Sequence, residues 1–340
     1  MLLNTIKLTR RLFILGHIFK ILMCTVFVVL SCTKAVLAQD KPSNHMSAQQ
    51  WLMKMQKAAI EENYIGTFIL MRKGTTSSLS IAHRYKNGIE QERLKQLDGE
   101  MGEIIRNGDV VMCIFPGNRV VQVEKAPYAN KIVQAFPKTL FGNRQYSLNL
   151  SGQNRMVDRA SIMLDVTAKD ADRYSYRLWI DEETSLLLKS AVLNDKGVEL
   201  ESFQFTDISF PKEISDDQLE STMPGGLKKH ELIPVENVDV DWPTDIKWLA
   251  EWMPNGYQEI KNGHLNGGNT KSYSDGLASY SIFIEKVDDK HALPEGGTQI
   301  GATVAYSHQQ KLSENKYNVT VIGEIPAITA MKIAKSVRPR

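Results

Sequence analysis

The stretch Ser161–Ile208, SIMLDVTAKDADRYSYRLWIDEETSLLLKSAVLNDKGVELESFQFTDI, decides the fold class of this chain. Four β-rich runs follow one another in it: Ser161–Ala168, Tyr174–Asp181, Ser185–Leu193 and Val198–Ile208. The connectors Asp181–Thr184 and Asn194-Asp195-Lys196-Gly197 carry hairpin turn chemistry. Strands joined by connections this short run antiparallel, because a parallel pair needs a crossover of a dozen or more residues. The stretch is therefore a meander, and a doubly wound parallel α/β sheet is excluded.

Working outward, the same pattern extends upstream through Thr67–Lys73, Leu79–Lys86, Glu103–Arg106, Val110–Phe115 and Arg119–Glu124. Ahead of them Ser47-Ala48-Gln49-Gln50 has the spacing of a capping box, which predicts a helix to about Glu62 with Leu52, Met55 and Ala59 on one face. Downstream, Pro211–Val235 breaks the pattern with Ser-Asp-Asp, Met223-Pro224-Gly225-Gly226 and Lys228-Lys229-His230, and reads as a linker. A second module follows, with strands near Lys271–Lys286, Thr298–Ser307 and Tyr317–Glu324. It closes with a helix from Ala327 to about Val337, whose Ile328, Met331, Ile333 and Ala334 are expected against the sheet. The expected organisation is residues 1–38 as a leader, 39–212 as a β-rich domain, 213–234 as a linker and 235–340 as a smaller α+β domain.

The leader differs in composition from the rest. Lys7, Arg10, Arg11 and Lys20 precede the uncharged run Ile21–Thr33, and Val36-Leu37-Ala38 offers small-type residues before Gln39-Asp40. This is the pattern of a secretory signal peptide cleaved after Ala38. Alternatives are an uncleaved anchor over Leu12–Thr33 and lipoprotein processing at Cys32, where Leu30 is a poor fit. The 340 residues carry a formal charge of +2; the leader holds five basic residues and no acid, so the mature chain is at −3. Cleavage also leaves Cys113 as the one remaining cysteine, so an internal disulfide is excluded. Cys113 lies in the apolar run Val110–Phe115 and is expected to be an inert thiol.

Motifs of catalysis are absent: there is no HExxH, GxSxG or GxGxxG, and no metal-spaced Cys/His pair. Gly267-Gly268-Asn269-Thr270-Lys271-Ser272 lacks the glycine before lysine that a phosphate loop needs. No enzyme activity, metal or organic cofactor is expected, nor any nucleic-acid partner. One charge pattern stands out. Lys125, Lys131, Lys138, Arg144 and Arg155 occupy an acid-free segment, interleaved with Ile132, Val133, Phe136, Leu140 and Phe141. Such a segment suits an anionic amphiphile or acidic partner, and equally an element that packs its apolar side on the sheet and solvates its lysines.

Several segments resemble the MucB/RseB family of periplasmic negative regulators of envelope-stress (sigma-E type) sigma factors. They are His83–Gly88, Glu92–Gly99, Glu103–Gly108, Cys113–Pro116, Arg173–Asp181 and Glu201–Phe205. In the second module Tyr273–Glu285, Ile300–Thr303 and Val319–Pro326 follow in the family's order. The chain departs from the family pattern at Ser175, at Arg72-Lys73-Gly74 and at His308, where an arginine is expected. The resemblance implies a strongly curved antiparallel sheet with helices, similar to lipoprotein carriers, plus a smaller sheet-and-helix domain. It also implies a partner, the periplasmic domain of a transmembrane anti-sigma factor, which the regulator shields from site-1 proteolysis. Lipid, lipopolysaccharide or mislocalised lipoprotein acyl chains would release it. Self-association is left open. The rival reading is a periplasmic lipid or lipoprotein carrier without that partner.

Alternation along the strands makes Phe68, Leu70, Ile81, Trp179, Phe203 and Phe205 candidates for an acyl-chain cleft, or else for packed core. Tyr273, Asp275, Tyr280 and Phe283 are candidates for the partner contact, or for the second module's core strand.

Overall fold

The computed structural model describes residues 46–116, 119–123, 144–223, 248–265, 268–287, 294–312 and 315–339. The chain enters through α1 (Ala48–Glu61), and the expected capping box is formed: Ser47 Oγ accepts from the Gln50 amide at 3.2 Å, and Gln50 Oε1 accepts from the Ser47 amide at 2.7 Å. Its buried face is Trp51, Leu52, Met55, Ala58 and Ala59, the spacing of a single helical stripe.

Eleven described strands form one sheet. They are β1 (Tyr64–Arg72), β2 (Thr75–Lys86), β3 (Ile89–Gln96), β4 (Glu103–Asn107), β5 (Val110–Phe115), β6 (Arg119–Val123), β7 (Tyr146–Met156), β8 (Arg159–Ala168), β9 (Ser175–Asp181), β10 (Leu187–Leu193) and β11 (Glu199–Ser209). The order β6-β5-β4-β3-β2-β1-β11-β10-β9-β8-β7 is two antiparallel meanders joined down the middle by β1 and β11. At that junction Phe68 pairs with Phe205 and Leu70 with Phe203, next to a bulge at Thr67/Phe68. Gly66 is required there: a Cβ on it would lie 2.6 Å from the Asp207 carbonyl oxygen and 2.9 Å from the Phe205 ring.

Flat, this sheet would hold β2 and β7, six places apart, about 29 Å from one another. Yet α1, about 21 Å long, touches both, and it shares one apolar cluster with residues of β1–β3 and β7–β11. The sheet curls round the helix, as twist accumulated over so many strands requires. On its other face, Ile214 and Leu219 of the segment after β11 pack on Ala82, and Met223 on Ile105 and Ile114.

The second sheet has the order β13-β14-β15-β18-β17-β16, all antiparallel. Its strands are β13 (Gln258–Leu265), β14 (Gly268–Ser274), β15 (Ser279–Val287), β16 (Gly296–Ile300), β17 (Thr303–Leu312) and β18 (Asn315–Gly323). Here α2 (Ala327–Ser336) packs against β17 and β18, while β12 (Trp248–Ala250) pairs with β19 (Val337–Pro339). The buried face of α2 is Thr329, Ala330, Ile333 and Ala334. This corrects the sequence expectation: Ile328 is 51% exposed, because it lies off the stripe that Thr329, Ala330, Ile333 and Ala334 form at helical spacing.

A β-rich fold with a large antiparallel sheet and a smaller sheet-and-helix module is what the sequence called for. The strands it did not resolve are β3, β7, β12, β13 and β19. β3 reads IEQERLKQ and β7 YSLNLSGQNRM, whose polar residues hide the alternation. Among the described residues, no helix is long and apolar enough to cross a membrane.

Candidate functional site

Five of the six candidate cleft residues share the helix-facing side of the large sheet. Phe68, Ile81, Phe203 and Phe205 belong to the apolar cluster, and Leu70 packs at its margin. The three phenylalanines meet edge to face, with centroids 5.3–5.7 Å apart. Trp51, Leu52 and Met55 of α1 belong to the same cluster, so in this conformation the face is packed core covered by a helix. Trp179 is a correction. Its neighbours Leu178 and Ile180 enter the cluster, and the period of two turns Trp179 to the opposite face, where Lys189 Nζ sits 4.8 Å from its ring centre.

The four candidates in the second module also divide. Tyr273 and Tyr280 are buried and stacked at 5.1 Å inside that module's core, so they fill it and do not form an exposed contact. Phe283 lies between the core positions Ile282 and Ile284 and so faces the other side of β15, half-buried. Of the basic segment, Lys125, Lys131 and Lys138 lie outside the described residues. Arg144 is an exposed turn residue whose carbonyl accepts from Lys169 Nζ at 3.0 Å. Cys113 is half-buried, and burial pushes its thiol pKa up, away from reactivity.

Asp275 has the most connected position. It sits in the β14–β15 turn, where Oδ1 accepts from the amides of Leu277 and Ala278, both at 2.9 Å. Its Oδ2 accepts from Arg173 Nη1 and, at 2.9 Å, from the Tyr146 hydroxyl. Arg173, in the β8–β9 turn of the large sheet, has a fully buried side chain. Its Nε donates to Asp170 at 3.0 Å and its Nη2 to the Asn255 carbonyl at 2.5 Å, and its guanidinium lies over the rings of Tyr146 and Tyr257 at 5.6 and 5.1 Å. Burial raises the phenol pKa of Tyr146 and of Tyr257, with Asp275 adding to it, so Tyr146 remains a donor at neutral pH.

Further contacts extend this seam between the sheets. Tyr174, its phenol pushed up to about 12 by burial and then by Glu201, donates to the Ile325 carbonyl at 3.0 Å. Thr329 donates to Asp172 at 3.1 Å, and the Ala302 amide to Glu201 at 3.1 Å. Beside it, Arg72, Lys73, Glu201, Gln299 and Gly301 line a cavity of about 460 Å³. The seam thus welds the sheets through a desolvated charge pair backed by neutral donors.

Residues 47–223 match the MucB/RseB N-terminal domain, and residues 243–338 match the MucB/RseB C-terminal domain. The chain belongs to the MucB/RseB family. Sigma factor AlgU regulatory protein MucB of Pseudomonas aeruginosa is 33% identical over 303 residues, covering 86% of this chain and 91% of that relative. Sigma-E factor regulatory protein RseB of Escherichia coli K12 is 26% identical over 324 residues, covering 92% and 97%. The crystal structure of MucB in complex with MucA(peri) superposes with a TM-score of 0.68 at 30% identity, over 86% of this chain and 99% of that one. The MucB/RseB-like segment Tyr273–Glu285 is the β14–β15 hairpin that presents Asp275 to the seam. At the departure His308, the imidazole Nδ1 lies 3.4 Å from Glu295.

Sequence reasoning singled out Asp275 but not its partner, because Arg173 is 102 residues away. It also passed over a cluster on the β2–β3 hairpin, where ligand atoms of His83, Glu90 and Glu92 all lie within 4.8 Å of one another.

Proposed function

We propose that this protein is a periplasmic regulator that holds the periplasmic region of a membrane anti-sigma factor, shields it from site-1 proteolysis and releases it when acyl-chain ligands bind. Sigma-E type activity is thereby restrained until envelope stress delivers the ligand. The observation that carries this reading is likeness in both modules, at 30% identity, to a protein solved as a complex with MucA(peri). It acts by binding rather than turnover, in keeping with relatives that are regulatory proteins.

The physical logic is competition. The ligand-accepting surface is the helix-facing side around Phe68, Phe203 and Phe205, and an acyl chain reaching it competes with α1 for the same apolar area. Moving α1 relaxes a sheet whose β7–β9 region supplies Tyr146 and Arg173 to the seam. Ligand capture is then felt in the second module. Release needs only a differential affinity: a 100-fold preference of ligand for the partner-free form supplies about 2.7 kcal/mol.

The test is calorimetric titration of the mature chain with the periplasmic region of the cognate anti-sigma factor, with and without lipid A. Binding that lipid A weakens supports the reading. Lipid binding without any anti-sigma binding would instead make the protein a carrier.

A further inference from the structure

We propose that the β2–β3 hairpin carries a binding site for a divalent transition-metal ion, zinc foremost, formed by His83, Glu90 and Glu92. The local sequence builds it. Asn87 and Gly88 both take positive φ, 55° and 79°, as a two-residue hairpin turn requires. This turn sets Lys86 opposite Ile89 and hence His83 opposite Glu92 and Tyr85 opposite Glu90. With side chains alternating along both strands, His83, Glu90 and Glu92 share one face.

The decisive feature is the imidazole. Its Nδ1 lies 2.8 Å from the Glu62 carbonyl oxygen, at the C-terminal cap of α1. A carbonyl oxygen can only accept, so Nδ1 carries a proton and, in the neutral ring, Nε2 is a bare lone pair. That Nε2 is buried with no hydrogen-bond partner, and it points at Glu90 Oε1, 3.5 Å away. A lone pair facing a carboxylate is repulsive; a cation between them turns both, with Glu92, into ligands. Metal-bound histidines characteristically donate their other ring N–H to a backbone carbonyl, which fixes tautomer and ring orientation. Here Tyr64, stacked on the ring at 4.8 Å and 14°, holds it further.

One imidazole nitrogen and two carboxylate oxygens suit zinc, with bonds of about 2.0–2.2 Å and a remaining position for water. Tetrahedral ligands at such bond lengths stand about 3.3 Å apart, so donors already within 4.8 Å close by side-chain adjustment alone. Arg106, opposite Glu92 on β4 and buried, is the competing cation. The sequence offers no histidine pair one helical turn apart, and this arrangement needs none, because the hairpin register supplies the spacing.

The experiment uses the untagged mature chain, stripped with a chelator, and titrates zinc alone by calorimetry and thermal melting, with magnesium as control. The expected result is one zinc equivalent and a rise in Tm that magnesium does not reproduce. Glu90→Gln and Glu92→Gln, in partly exposed positions that tolerate the change, are each expected to weaken zinc at least about tenfold. His83→Gln is the third variant, with folding verified by circular dichroism. Zinc binding that these variants leave unchanged overturns the proposal. So does an absence of zinc binding, with nitrogen NMR showing both imidazole nitrogens protonated at neutral pH; the cluster is then a plain imidazolium–carboxylate pair.

Discussion

Replacing Asp275 by asparagine removes one charge from the seam and keeps its shape. Oδ1 still accepts from Leu277 and Ala278, but the group facing Arg173 and the Tyr146 hydroxyl becomes an amide that can turn its NH2 toward two donors. Arg173 and Asp275 both have fully buried side chains, so water cannot re-solvate the abandoned guanidinium. Breaking such a pair by removing one partner costs about 3–5 kcal/mol. Asp170, 3.0 Å from Arg173 Nε and partly exposed, still offsets part of the charge, which puts the expectation at the lower end, about 3 kcal/mol. For folding units of this size that corresponds to a fall in Tm of about 6–12 °C. The assay is urea unfolding followed by tryptophan fluorescence, since Trp51 and Trp179 report the large sheet and Trp248 and Trp252 the second module. Arg173→Met combined with Asp275→Asn should cost less than the sum of the single changes, because no buried charge is then stranded. A loss below about 1 kcal/mol for Asp275→Asn, with strict additivity in the double variant, would refute the seam as an energetic link.

Gly66→Ala should destabilise by about 1–3 kcal/mol in a thermal melt, since the added methyl meets Asp207 backbone and the Phe205 ring at under 3 Å. Phe205→Ala, at the centre of the aromatic trio, should cost about 3–5 kcal/mol by urea unfolding. Burial alone would raise the Asp181 carboxyl, but bonds from Arg159 and Thr184 outweigh it and hold its pKa below 3.8. Its stabilising contribution is therefore present above pH ~3.8 and lost as pH falls through the lower folded value; stability curves of wild type and Asp181→Asn should be parallel near neutrality and converge only in acid. Trp179→Ala should leave acyl-chain affinity unchanged in native mass spectrometry, because Trp179 is on the face away from α1.

What was legible in the sequence follows the physics of each signal. Hairpin turns such as Asn194–Gly197 declare themselves locally, so the meander was readable, and Ser47–Gln50 announced α1 by a three-residue spacing. The central β1–β11 pairing joins strands more than a hundred residues apart and leaves no local trace. Apolar residues at alternate positions identified Phe68, Phe203 and Phe205 as facing inward, yet periodicity has no term for which element covers them. Trp179 was misplaced for a related reason: in Leu178-Trp179-Ile180 all three residues are apolar, and alternation vanishes where both faces are covered. The His83 cluster was within reach, since an Asn-Gly turn fixes which residues stand opposite one another.

Protection of an anti-sigma factor, relieved by lipid, is the core of the proposed function. The most direct measurement is the rate at which the site-1 protease cleaves the periplasmic region of the cognate anti-sigma factor, alone, with this protein in excess, and with lipid A added to the mixture. Under this mechanism, cleavage is slow in the presence of the protein and returns to the free rate on adding lipid A, with Asp275→Asn shifting the lipid concentration required. Cleavage at the same rate with and without the protein, or protection that lipid A leaves untouched, contradicts it.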